Sequence, residues 1–181
     1  MDTAALFLAS EYVRYQESGS PRWENYLQVA TAVAGTGKPD CTSHDPDGQV
    51  RQCMPRFSIK AGSQVNAWQL GGEIQFTTAA ITRLGLDEFA LLAGHEIAHF
   101  YLGHHGHSAD QELEADALGA VLACRAGFRP DLASGLYRYA RRTRTHPETS
   151  LRRRIVMDIS PLSNCAPASL QVPAVLALKS E

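Results

Sequence analysis

The residues with the clearest chemistry are Gly94-His95-Glu96-Ile97-Ala98-His99, which contain the pattern H-E-x-x-H. On a helix, positions i and i+4 share a face with Cβ atoms ~5–6 Å apart, so the imidazoles of His95 and His99 can converge on one zinc ion. Glu96 then stands one step around the helix, beside the metal rather than on it. There its carboxylate can take a proton from a water that the metal activates. The pattern alone also fits a helix carrying two surface histidines, and a third ligand separates the two readings. Of the seven histidines, five (His95, His99, His104, His105 and His107) fall between positions 95 and 107. Core packing gives no reason for such a cluster, whereas metal chemistry does.

Two residues compete for the third position. His105 follows His95 by ten residues, as in the metzincin pattern H-E-x-x-H-x-x-G-x-x-H. That pattern needs glycine at 102 to turn the chain. Here Leu102 occupies it, the glycine comes one place late at Gly103, and no Met-turn is evident because Met157 lies in a basic helix. The other candidate is Glu112, in Glu112-Leu113-Glu114-Ala115-Asp116. Glu112 and Asp116 share a helical face. Glu112 can complete a three-ligand site with an open fourth position, and Asp116 can hydrogen-bond the far nitrogen of a ligand histidine and fix its tautomer. Glu114 points roughly the other way and reads as a solvent carboxylate. The competing view of this segment is an acidic first turn of a helix, which its place after H-E-x-x-H disfavours. His104, His105 and His107 are then left to a polar loop with incidental metal affinity.

Taken together, these motifs resemble the HtpX and CAAX-prenyl-protease type of gluzincin metallopeptidases, whose members carry H-E-x-x-H followed by E-x-x-x-D. Further segments are similar to that family: Val65-Asn66-Ala67-Trp68 before Gly71-Gly72-Glu73-Ile74, Ala117-Leu118-Gly119, Ala126-Gly127-Phe128-Arg129-Pro130, and Thr145-His146-Pro147 followed by Arg152-Arg153. The likeness covers roughly positions 64 to 155. It implies a zincin-like domain with one Zn2+ per chain on His95, His99 and Glu112, Glu96 as general base, and Asp116 behind a ligand histidine. It also implies His146 as a second electrophile for the oxyanion; from its own surroundings His146 reads only as a His-Pro helix start. Asn66, Ala67 and Trp68 would belong to an edge strand that pairs with an extended or unfolded polypeptide. The implied activity is zinc-dependent endopeptidase action, in cell-envelope protein quality control. The alternative is a metal-binding chaperone-like or latent module of the same fold with little proteolysis. Members such as HtpX have transmembrane helices, and no apolar run here reaches the ~20 residues needed to span a bilayer.

Several elements must position these groups. Residues 3–17 read as a helix, Ser18-Gly19-Ser20-Pro21 as a break, and 22–34 as a second amphipathic helix. Strand-like runs follow at Arg56–Lys60, Gln64–Leu70 and Glu73–Thr77, the last two joined by Gly71-Gly72, a hairpin signal. Asp87 is the expected N-cap of a helix through His99 that buries Phe89, Leu91, Leu92, Ile97 and Phe100. Helices over 110–126, 131–143 and 149–158 complete the pattern, the first ended by Gly127. The expected class is α+β, mostly helical with one small antiparallel sheet. A single domain would span 1–160, with a C-terminal tail at 161–181.

A chain of 181 residues can bury a real core, and 44% hydrophobic and 20% charged residues are ordinary for a globular protein. A net charge of -2 argues against nucleic acid as a partner. The basic stretch Arg138, Arg141, Arg142, Arg144, Arg152, Arg153 and Arg154 reads mainly as a solvated face, with some arginines ordering the loops of the site. Met1 to Ser10 lacks a basic leader and runs into Glu11, so it reads as helix rather than export signal. The cysteines point the other way. Cys41 and Cys53 bracket a turn-rich loop, which suggests a disulfide and a periplasmic or otherwise exported protein rather than a cytoplasmic one. Cys124 with Cys165 is the remaining pairing; Cys165 as an inhibitory zinc thiolate is the lesser reading.

Overall fold

The computed structural model describes residues 22–37, 54–106, 108–140 and 149–158. The helix expected over 3–17, the Cys41–Cys53 loop, His107, His146 and the tail lie outside these residues. So do both expected disulfide pairings, although Cys124 is not a free thiol.

Three strands, β1 (Arg56–Lys60), β2 (Ala67–Leu70) and β3 (Glu73–Thr77), form one sheet in the order β1-β3-β2. β2 and β3 are an antiparallel hairpin, with Ala67 opposite Phe76 and Leu70 opposite Glu73. β1, however, runs parallel to β3, with Arg56 opposite Glu73 and Lys60 opposite Thr77. The sheet is therefore mixed, not antiparallel. After Lys60 the chain crosses to the far edge before turning back at Gly71-Gly72, so the returning strand lies between the other two. Threonines pin this crossover. Thr77 Oγ1 donates to Gln64 O at 2.8 Å and accepts from Asn66 N at 3.1 Å, and Thr78 Oγ1 donates to Gly62 O at 2.9 Å. Thr77 also caps the next helix, accepting from Ala80 N at 3.2 Å.

Helix α1 (Arg22–Thr36) precedes the sheet; α2 (Thr78–Arg83), α3 (Leu86–Leu102) and α4 (Ala109–Arg125) follow it. The main core lies between the sheet and α1, α3 and α4, around the fully buried Phe76, Phe89, Ile74, Ile97, Leu122 and Val33. Tyr26 packs edge-on against Phe89, with ring centroids 4.5 Å apart, and its hydroxyl donates to the carbonyl of Leu84. In α3, Phe89, Leu91 and Ile97 are buried while Leu92 and Phe100 are half-buried. Each of these burials holds the H-E-x-x-H helix on a rigid base.

Several boundaries differ from expectation: β2 begins at Ala67 rather than Gln64, and α1 runs on to Thr36. Gly85, not Asp87, is the N-cap of α3, and Glu88 accepts from its N–H at 3.0 Å. Asp87 instead accepts from the backbone N–H of Arg129 at 2.9 Å, tying the chain after α4 to the start of α3. The segment expected to be helical over 131–143 is a 3-10 helix at Pro130–Arg138. Pro130 lacks an N–H, and Ser134-Gly135 are poor α-helix formers, so the short piece takes the tighter winding. Helix α5 (Thr149–Asp158) has the expected limits. Among the described residues, no helix is long and apolar enough to cross a membrane.

Candidate metal centre

Helices α3 and α4 approach each other at backbone contact. A Cβ on Gly119 would lie 2.6 Å from both the Gly94 carbonyl carbon and the His95 nitrogen, closer than real side chains come. Only two glycines permit that crossing. It sits one residue from His95, and it brings the N-terminal turns of α4 against the histidine face of α3. Ser108 fixes the start of α4, its hydroxyl accepting from Gln111 N while Gln111 Oε1 accepts from Ser108 N, both at 3.2 Å.

The result is a buried cluster of His95, His99 and Glu112. His95 Nε2 and His99 Nε2 are 3.1 Å apart. Glu112 Oε2 lies 3.3 Å from His95 Nε2, and Oε1 lies 3.7 Å from His99 Nε2. Ligands held tetrahedrally at ~2.0–2.1 Å from zinc stand ~3.3–3.4 Å from one another; the two imidazole nitrogens and the Glu112 Oε2–His95 pair are near that separation, and Glu112 Oε1 to His99 is wider. The charge balance agrees. Glu96, Glu112 and Asp116 are all buried here, and the buried Arg152 pairs with Asp116 and lies 3.9 Å from Glu112. A divalent cation held by the two imidazoles and Glu112 would be favoured by the negative charge of these carboxylates.

Asp116 holds the back of the site. His95 Nδ1 donates to its Oδ1 at 3.0 Å, which leaves Nε2 directed at the cluster. Arg152, arriving on α5, grips the same carboxylate with two hydrogen bonds, Nε to Oδ2 at 2.6 Å and Nη2 to Oδ1 at 2.8 Å. Burial pushes the Asp116 carboxyl up, but the hydrogen bonds from Arg152 and His95 outweigh it and hold the group below its usual range. Burial likewise opposes a charged His95, yet Asp116 and Glu112 raise it to about 10. Without a metal, a proton on His95 is stabilised by Asp116 and Glu112.

Glu96 faces a cavity of about 490 Å³ whose walls include Asn66, His95, Asp116, Tyr137 and Arg152. Of the three residues expected to meet a peptide, Asn66 lines this cavity. Ala67 is buried in the core. Trp68 is half-buried with Lys60 Nζ 5.3 Å from its ring centre. Among the described strands, β2 lies at an edge of the sheet. His105 is exposed and stands outside the cluster.

Two contributors carry no assigned role in the sequence reading. Arg152 was one of seven arginines in a basic stretch; it is buried, whereas Arg153 and Arg154 are exposed. The only available signal was its spacing after Thr145-His146-Pro147. His104 reads as a loop residue, but its imidazole is largely covered and contacts both His99 and Glu114. Glu114 is accordingly not a simple solvent carboxylate. The chain matches no protein-family model and no curated protein.

Proposed function

We propose that the chain is a zinc-dependent endopeptidase with a zincin-like domain of the HtpX and CAAX-prenyl-protease type. The observation that carries this reading is the set of three buried donors, His95, His99 and Glu112, whose ligand atoms lie within 4.8 Å of one another on two crossed helices, with Glu96 beside them on a cavity wall. His95, His99 and Glu112 would hold the ion. Once bound, it supplies Lewis acidity for water activation and carbonyl polarisation. Glu96 accepts the proton of the attacking water and returns it to the leaving amine. Asp116 and Arg152 keep His95 in the tautomer that presents Nε2. The β2 edge aligns an extended or unfolded polypeptide by backbone hydrogen bonds, which gives weak side-chain selectivity. His146 is the proposed second electrophile for the oxyanion, and an exported, envelope quality-control setting is the proposed context.

The test is Glu96→Gln, assayed for zinc content and casein cleavage. The variant should retain zinc and lose cleavage. Cleavage that survives the change rejects Glu96 as the base. A wild-type protein that binds zinc, cleaves nothing and suppresses aggregation is instead the chaperone-like module.

A further inference from the structure

The two histidines of the cluster are backed differently. His95 Nδ1 meets a carboxylate directly. His99 Nδ1 meets another imidazole, with His104 Nδ1 at 2.9 Å. The other nitrogen of His104, Nε2, lies 3.3 Å from Glu114 Oε2. The His104 side chain is 8% exposed and that of Glu114 30%, so the chain of contacts runs outward from the cluster towards solvent.

Local backbone geometry builds this arrangement. Gly103 ends α3 in the left-handed region, with φ 65°. The turn folds the chain back so that His104 N donates to His99 O at 3.1 Å, which lays the two rings against each other, centroids 5.0 Å apart. A residue with a side chain at 103 would resist this conformation.

Two imidazole nitrogens facing each other need one donor and one acceptor. The carboxylate decides which. Glu114 accepts, so the His104 proton sits on Nε2 and Nδ1 is left as a lone pair. His99 Nδ1 must then carry a proton and donate it, which leaves His99 Nε2 as a lone pair aimed at Glu112 and His95. We propose that His104 is a positioning residue for His99, oriented in turn by Glu114, and that this relay fixes the tautomer in which His99 can bind a metal. The inference rests on the metal-site reading above and adds to it a residue outside the H-E-x-x-H and E-x-x-x-D motifs.

Zinc affinity, measured by competition with a chromophoric chelator, tests the relay in the intact chain. His104→Ala should weaken zinc binding ~10–100-fold, the usual effect of removing a hydrogen-bond partner of a ligand. In His104→Asn the amide oxygen stands where Nδ1 was and can still accept from His99, so affinity should stay within about threefold of the wild type. Imidazole nitrogen NMR of the zinc-loaded wild type should show His99 protonated on Nδ1. Unchanged affinity in His104→Ala, or His104→Asn as weak as His104→Ala, overturns the relay. If His104→Ala does not fold, Glu114→Ala decides: a loss of about threefold or more is expected, and wild-type affinity overturns the proposal. A folded wild type that takes up no zinc fails at the metal site itself, which separates that failure from a failure of the relay alone.

Discussion

Arg152 and Asp116 are 36 positions apart in the chain, yet the guanidinium holds the carboxylate through two short hydrogen bonds, 2.6 and 2.8 Å, both partners buried. One carboxylate oxygen is shared with His95. Helix α5 is thereby linked to the histidine face of α3 through Asp116 of α4.

Removing one member of such a pair leaves the other charge buried without its partner. Arg152→Ala should therefore destabilise the protein by about 3–5 kcal/mol in denaturant titrations. Arg152→Lys should fall between the two, since it keeps the charge and loses the fork geometry.

The helix crossing has its own test. Gly119→Ala places a Cβ against the backbone of Gly94 and His95. It should cost about 1–3 kcal/mol and weaken zinc binding, because α4 must shift. At Gly85 an added Cβ would meet nothing nearer than a side-chain oxygen at 4.0 Å, so Gly85→Ala should leave zinc affinity unchanged. Zinc titration of both variants checks the contrast.

The third ligand can be read by stoichiometry. Glu112→Ala should lose zinc by more than the ~10–100-fold typical of outer partners. His105→Ala should retain it, as His105 is exposed and outside the cluster. Zinc lost on His105→Ala alone would restore the metzincin reading.

Stability of the metal-free protein should fall at both ends of the pH scale. Asp116 is held below its unfolded value of 3.8, so its contribution is complete above that value and is lost as pH falls below it. His95 is raised from 6.5 to about 10, so its contribution is complete below 6.5 and disappears as pH rises through about 10. Urea midpoints across pH should show both limbs. Asp116→Asn should flatten the acid limb, and zinc should reduce the alkaline one, because the ion takes the place of the proton on His95.

The spacing rules of a helix carried most of the site. His95, Glu96 and His99 on one helix, and Glu112 with Asp116 on the next, follow from period alone, and the structure brings all five together. The strand positions were equally legible, since β1 and β3 have the limits the pattern suggests. Strand order was not. Alternation and a Gly-Gly turn define a hairpin, but nothing local says on which side an earlier strand will pair. Arg152 was hidden for a similar reason: a buried arginine and its exposed neighbours look alike until α5 is docked. His104 escaped because a histidine just beyond a helix end reads as loop, and only the left-handed turn at Gly103 brings it back over the preceding turn.

The crossing at Gly94 and Gly119 gives the centre an unusual kind of tolerance. Backbone has no rotamers, so the pivot that sets the gap between the ligand-bearing helices has no side-chain freedom to lose. The separation of His95 from Glu112 is thus anchored at the crossing rather than by the length of the connection between the helices. A shift at that pivot would carry both helices, and the donors on them, with it.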